Sequence, residues 1–461
     1  MASPFLGVSM PCIFRVTAIW RATLIGALAL ACIGAPPAFG QDRKFMSGYA
    51  GSLPHAPRDL ARTYFGDKAV RGLIYDLEAA PMPRAKAEAQ LAGSGATLDD
   101  LIRVRLIRPD GDLVRLGFSY FTAADMELIH GMVARYAPSL VAAYVGDAPR
   151  LNSIFAAYNV PTVDPKRLAF ALIVGVGLNW QGLDLLFDTG YRKPILVEGP
   201  DWKYSFWASE EQASYDYRGY YWGSTTFPAG AANLNPNPVD YAFASFGDPM
   251  SDPRMNFPDL LDTHPDQMTA PVRAAAEAIG LHDDLQFGET NVLTAEFARQ
   301  LGPILFALRA QPQDAKKLAT TLATTPGTGD LAGLERDLQL LAVTGYVAHG
   351  RDGRWTLTAP VLDRQDKAML SAALAENRAI LDRWTKGHYA AMRADLTGLT
   401  ALRQGVPYEA LYTQIWHELF GRVTRELVER GVVADPHAPG NPSPGSLPMV
   451  WRTSIYNRVW Q

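Results

Sequence analysis

A pattern that occurs twice constrains this chain more than any other feature. Residues 73–91 read LIYDLEAAPMPRAKAEAQL and residues 304–322 read ILFALRAQPQDAKKLATTL. Aligned without a gap, they share Leu77/Leu308, Ala79/Ala310, Pro81/Pro312, Lys86/Lys317 and Leu91/Leu322. Each stretch passes through a Gly/Thr turn into a second leucine-rich segment, and each ends at an Asp-Gly tip, Asp110-Gly111 and Asp352-Gly353. One small unit has been written twice, so the chain needs a fold that accommodates two copies of it.

The punctuation inside each copy predicts its elements. Helices are expected over Val70–Ala80 and Leu301–Ala310, each stopped by a proline that lacks an amide donor. Second helices follow over about 83–92 and 314–324, then turns at Gly93-Ser94-Gly95 and Pro326-Gly327-Thr328-Gly329. Thr97 stands three residues before Asp100, the spacing of a capping box. Leu331, Leu334, Leu338 and Leu341 recur at helical spacing. Ribbons are expected from Arg103–Arg108 with Leu113–Phe118, and from Tyr346–His349 with Arg354–Thr358, because Asp-Gly between alternating residues favours a hairpin. Helices over Ala123–Tyr136 and Arg364–Trp384 complete the units.

Three short helices followed by a hairpin resemble the winged helix-turn-helix module of bacterial transcription regulators. The resemblance is fuller in the second copy, LERDLQLLAVTGYVAHGRDGRWTLT. It implies a third helix in the DNA major groove and a wing on phosphates. The residues argue against that use here: Asp330, Glu335 and Asp337 outnumber Arg336 on the second copy's third helix, and acids repel a phosphate backbone. The modules therefore read as scaffold, with a possible protein partner and no nucleic acid.

The N-terminus points to export. Ala22–Ala35 is a short apolar run behind Arg15 and Arg21, with small residues at Ala38 and Gly40, the layout of a secretory signal peptide over residues 1–40. Cleavage near Gly40 predicts a periplasmic or secreted protein. It removes both cysteines, Cys12 and Cys32, and shifts the formal net charge from −4 to −6, since the removed segment holds two arginines and no acid. Ala29-Leu30-Ala31 before Cys32 departs from a lipobox. With 48% hydrophobic and 20% charged residues the chain composes as an ordinary folded protein, and no stable membrane span is expected after Gly40.

The expected fold class is α+β: winged-helix-like modules at 59–150 and 295–395, an aromatic-rich central α+β region at 151–290, and a helical C-terminal region at 396–461. From Trp202 to Trp222, nine of 21 residues are aromatic. Trp202, Tyr204, Trp207, Tyr217, Arg218, Tyr220, Tyr221 and Trp222 form the candidate ligand-binding set, since Tyr and Trp combine a stacking face with a polar handle. The competing reading is a core stripe. Glu198, Asp188 and Asp216 are the candidate catalytic carboxylates, because glycan hydrolysis needs one protonated and one ionised carboxyl. Carboxylates at turns more often cap backbone amides.

Other templates fail. Gly175-x-Gly177 lacks the third glycine of a dinucleotide turn, and His417-Glu418 meets Gly421 where a zinc-protease helix needs its second histidine. No metal and no cofactor are expected. Three functions stay open: an exported binding protein for a glycan or cell-envelope fragment, a carboxylate-dependent glycan hydrolase or lyase, and a DNA-binding or sensory regulator.

Overall fold

A computed structural model describes residues 45–52, 64–199, 202–210, 220, 224–227, 240–247, 290–323, 331–442 and 445–456. The expected signal peptide lies outside them. The architecture is mixed α+β, and contacts group Lys44–Gln461 into one unit.

The repeated pattern folds alike in both places. The first copy runs α1 (Lys68–Ala79), β2 (Met82–Pro83), α2 (Arg84–Gln90), α3 (Leu98–Arg103), β3 (Ile107–Asp110) and β4 (Leu113–Leu116), preceded by β1 (Phe45–Ser52). The second copy starts at α6 (Thr290–Ala310), continues through α7 (Ala315–Leu322) and α8 (Leu331–Val343), and ends in the ribbon β10 (Val347–His349) and β11 (Trp355–Leu357). Thr97 and Asp100 form the expected capping box. The gapless alignment sets Met82 against Gln313, and the two pair alike: Met82 lies opposite Val114 on β4, and Gln313 bridges Trp355 on β11.

The helix exits also match. Leu106 N donates to Leu101 O at 2.9 Å in one copy, and Tyr346 N to Leu341 O at 2.8 Å in the other. Arg105 N bonds Ile102 O, and Gly345 N bonds Ala342 O, at 3.0 and 3.1 Å. Both exits are Schellman turns with a left-handed residue, Gly345 at φ 83° and Arg105 at φ 61°.

The duplication extends beyond the pattern visible in the sequence. After each ribbon comes a short strand, β5 (Ser119–Phe121) and β12 (Val361–Leu362), then a boxed helix cap, Thr122 with Asp125 and Asp363 with Asp366. A long helix follows in each half: α4 (Ala123–Phe155), and α9 (Lys367–Asp395) behind one 3₁₀ turn. A second long helix follows that, α5 (Pro165–Asp188) and α11 (Tyr408–Glu429). Last comes a strand, β7 (Trp202–Glu210) and β13 (Ser446–Arg452).

The strand pairing repeats as well. β5 runs parallel to β7, which pairs antiparallel with β1. β12 runs parallel to β13, which pairs antiparallel with β9 (Tyr241–Gly247). Each half therefore carries the strand order short–last–first. Two strands fall outside the correspondence, β6 (Leu196–Gly199) on β7 and β8 (Ser224–Phe227) on β9.

This organisation differs from a central domain framed by two modules. α4 passes residue 150 without a break, residues 165–210 complete the first half, and Tyr241–Gly247 belongs to the second. The four long helices α4, α5, α9 and α11 pack on one another and form the largest apolar core. The helix–hairpin units have cores of their own.

The connections after the first long helices reach across the halves. Tyr158, after α4, exchanges hydrogen bonds with the backbone of Val361, and the Arg309 guanidinium lies 5.6 Å from its ring centroid. Gln404, past α10 (Thr400–Arg403) and before α11, donates to Glu78 O and accepts from Arg115.

Candidate functional site

The residues singled out in the sequence scatter in the structure. Asp216, Tyr217, Arg218, Tyr221 and Trp222 lie outside the described residues. Trp202 and Tyr204 stand on β7, opposite Gly199 and Val197 of β6, and Glu198 pairs in register with Lys203. Asp188 ends α5 in an exposed ion pair with Arg378, 2.8 Å. Tyr220 is half-buried, its hydroxyl 3.2 Å from Asp435 and its ring edge-on to His437. Burial pushes the Tyr220 phenol up to about 12. Glu210 accepts from Tyr120 Oη and from Ala123 N, capping α4.

The described rings of β7 face inward on both sides. Phe206 stacks on Phe65 at 5.2 Å and meets Phe118 edge-on at 5.1 Å under the first helix–hairpin unit. Trp207 turns the other way into the helical core. It is 4% exposed, its ring centroid 5.3 Å from the His417 imidazole.

Trp207 leads to the cluster that sequence reading passed over. Helix α11 is buried almost all round, a setting that ordinarily selects apolar residues throughout. Yet Thr413, Gln414, His417 and Glu418, at i, i+1, i+4 and i+5, share one face at 3%, 1%, 4% and 0% exposure. Gln414 Nε2 donates to Glu418 Oε1 at 2.9 Å, and His130 Nε2 of α4 lies 3.4 Å from Glu418 Oε2. The buried Arg192 donates from Nε to Thr413 Oγ1 at 2.8 Å.

His417 Nδ1 is 2.6 Å from Thr413 O. A carbonyl only accepts, so Nδ1 carries the proton and Nε2 is the acceptor nitrogen. Burial, with the Arg192 charge adding to it, brings the imidazole down to about 4, and His417 is neutral at neutral pH.

The facing wall is Ser119 of β5 with Ser205 and Trp207 of β7. Between this wall and Thr413 and Gln414 lies a small cavity with room for about one water molecule. Its lining can accept and donate hydrogen bonds beside an aromatic ring, in surroundings where a buried carboxylate costs several kcal/mol unless paired.

The duplication supplies an internal control. The parallel pairs Phe121–Ser209 and Leu362–Trp451 correspond, so Ser205, Trp207 and Ser209 of β7 match Leu447, Met449 and Trp451 of β13. Those three are 2%, 1% and 1% exposed and belong to the helical core. The helix against them, Phe170–Trp180 of α5, has Asn179 as its only polar side chain. The same crevice in the second half is thus closed with apolar groups. The fold does not require the polar version.

A sequence clue existed in the pairs Thr413/His417 and Gln414/Glu418, each one helical turn apart between Leu411, Ile415 and Leu419. It becomes informative only once α11 is known to be buried. Among the described residues, no group of three or more His, Cys, Asp or Glu stands close enough to hold a metal ion. Compared with protein-family models, curated proteins and solved structures, the chain matches none.

Proposed function

We propose that this is an exported binding protein for a glycan or cell-envelope fragment, held at the crevice between β5, β7 and α11. The observation that carries this reading is the one-sided polar crevice. The position holds Leu447, Met449 and Trp451 in one half, and Ser205, Trp207, Thr413 and Gln414 in the other, on a helix face that also carries His417 and Glu418. Buried polar groups beside a tryptophan are the equipment for a ligand rich in hydroxyl and amide groups, which hydrogen-bonds at its edges and stacks on a face. The cavity takes one hydroxyl-sized group, so one substituent of the ligand enters and the rest stays outside.

The two helix–hairpin units serve in this reading as winged-helix-like scaffold and as contact surface for a protein partner. Their third helices are poorly suited to phosphate. Asp99 of α3 is paired with Arg84 at 2.6 Å, and burial raises the carboxyl of Asp337 of α8 above the usual range, against the lowering effect of its hydrogen bonds from Gln300. The basic wing residue Arg115 is held by Asp110 at 2.5 Å. The apolar run ahead of Gly40 supports export.

The test is a fluorescence titration of the purified protein with peptidoglycan fragments and envelope polysaccharides, alongside Trp207→Phe. The expected result is a saturable change that Trp207→Phe abolishes. A flat titration with every glycan, or a change that Trp207→Phe leaves intact, rejects the reading.

A further inference from the structure

We infer that residues 170–181 are a register switch that sets Arg192 against Thr413 and so regulates the crevice; as regulation, this rests on the ligand reading above. Within α5 the segment Phe170–Gln181 is π-helical, between α-helical Pro165–Ala169 and Gly182–Asp188. Such wide turns are rare, mostly single, and frequent at functional sites. A run of twelve residues needs something to hold it open.

Two side chains from neighbouring helices do so. Asn377 of α9 donates from Nδ2 to Leu172 O at 3.0 Å, and Trp416 of α11 donates from Nε1 to Leu178 O at 2.8 Å. Glycines admit both: a Cβ on Gly177 would lie 2.9 Å from the Asn377 side chain, and one on Gly182 would lie 2.6 Å from the Trp416 ring. The fit carries a cost. Asn377 Oδ1 and Gln181 Oε1 are buried with no hydrogen-bond partner among the described residues. Buried unpaired acceptors are expensive, which narrows the gap to an alternative register.

The far end of the segment is wired to the site. Arg192 N donates to Leu186 O at 2.9 Å, Arg192 Nε donates to Thr413, and Lys193 N donates to Glu409 O at 2.8 Å. Relaxing one residue from π to α register turns everything C-terminal by about 100° about the helix axis. Arg192 then leaves Thr413, the residue whose carbonyl fixes the His417 tautomer. Trp416 lies on the same helix as that polar face, so the latch and the crevice share α11.

Hydrogen–deuterium exchange on the full chain tests this without any ligand, which separates its failure from that of the glycan reading. Asn377→Leu and Trp416→Phe each remove a latch, and Leu381→Ala, a buried truncation elsewhere on α9, controls for general loosening. The expected result is exchange at least tenfold faster at residues 174–181 together with 190–194 in both latch variants, with neither segment affected in the control. Faster exchange at 174–181 alone, no change in either latch variant, or the same pattern in Leu381→Ala overturns the inference.

Discussion

At the residue scale the two copies differ where one backbone position is solved in two ways. Gly345 takes φ 83° without penalty, while Arg105 takes φ 61° with a Cβ, which costs roughly 1–2 kcal/mol in the left-handed region. The partner position compensates. Thr358 hydroxyl donates to Gly345 O at 2.8 Å, whereas Gly117 faces Arg105 O so closely that an added Cβ would collide with it. Arg105→Gly should therefore stabilise the protein by about 0.5–1 kcal/mol, and Gly117→Ala should destabilise it by about 2 kcal/mol or more, read from urea midpoints.

His417 gives a second residue-scale expectation. Its folded pKa is lowered to about 4, so the unfolded chain takes up the proton first as pH falls. The contribution is fully present above the unfolded value near 6.5 and is lost between there and about 4, to the extent of about 3 kcal/mol. A variant His417→Gln should flatten the stability difference between pH 7 and pH 5; an unchanged slope would mean that other groups cause it.

At the element scale, the sequence predicted types well and lengths poorly. The capping box at Thr97, the second Asp-Gly ribbon and the helices ending before Pro81 and Pro312 are local features, set by hydrogen bonds within a few residues, and they stand where expected; the first ribbon's leading strand is Ile107–Asp110 rather than Arg103–Arg108, because Arg103 ends α3. The long helices were underestimated. α4 runs to Phe155 through Pro138 and Pro149, and α6 begins at Thr290 and passes Pro303. A proline forfeits one helical hydrogen bond and crowds the preceding turn, but burial of Leu140, Val141, Tyr144 and Leu151 in the helical core outweighs that loss. No local window contains those partners. The caps offer the element-scale prediction: Thr122→Ala should cost about 1 kcal/mol of stability. Asp363→Ala should cost more, because Asp363 also holds Arg452 at 2.6 Å. Equal losses in thermal unfolding would show that the Arg452 pair adds nothing.

At the scale of the whole molecule, the gapless 19-residue match exposed only a fragment of the duplication. Pairing order and crossing connections survive sequence divergence because they depend on backbone geometry, and side chains drift under them. The halves differ most in polarity: β7 and α11 are polar where β13 and α5 are apolar. If the polar face exists for a ligand, its removal should not harm folding. Replacing a buried, hydrogen-bonded polar group with apolar residues of similar volume is often neutral or stabilising by about 1–4 kcal/mol, provided no partner is left behind. The combined variant Gln414→Leu, Glu418→Met and His130→Leu removes three described members of the Glu418 cluster together. Its urea midpoint should equal or exceed that of the parent, and the glycan-dependent fluorescence change should vanish. A loss of several kcal/mol would instead mark the cluster as structural, with the apolar second half merely a different solution to the same packing problem.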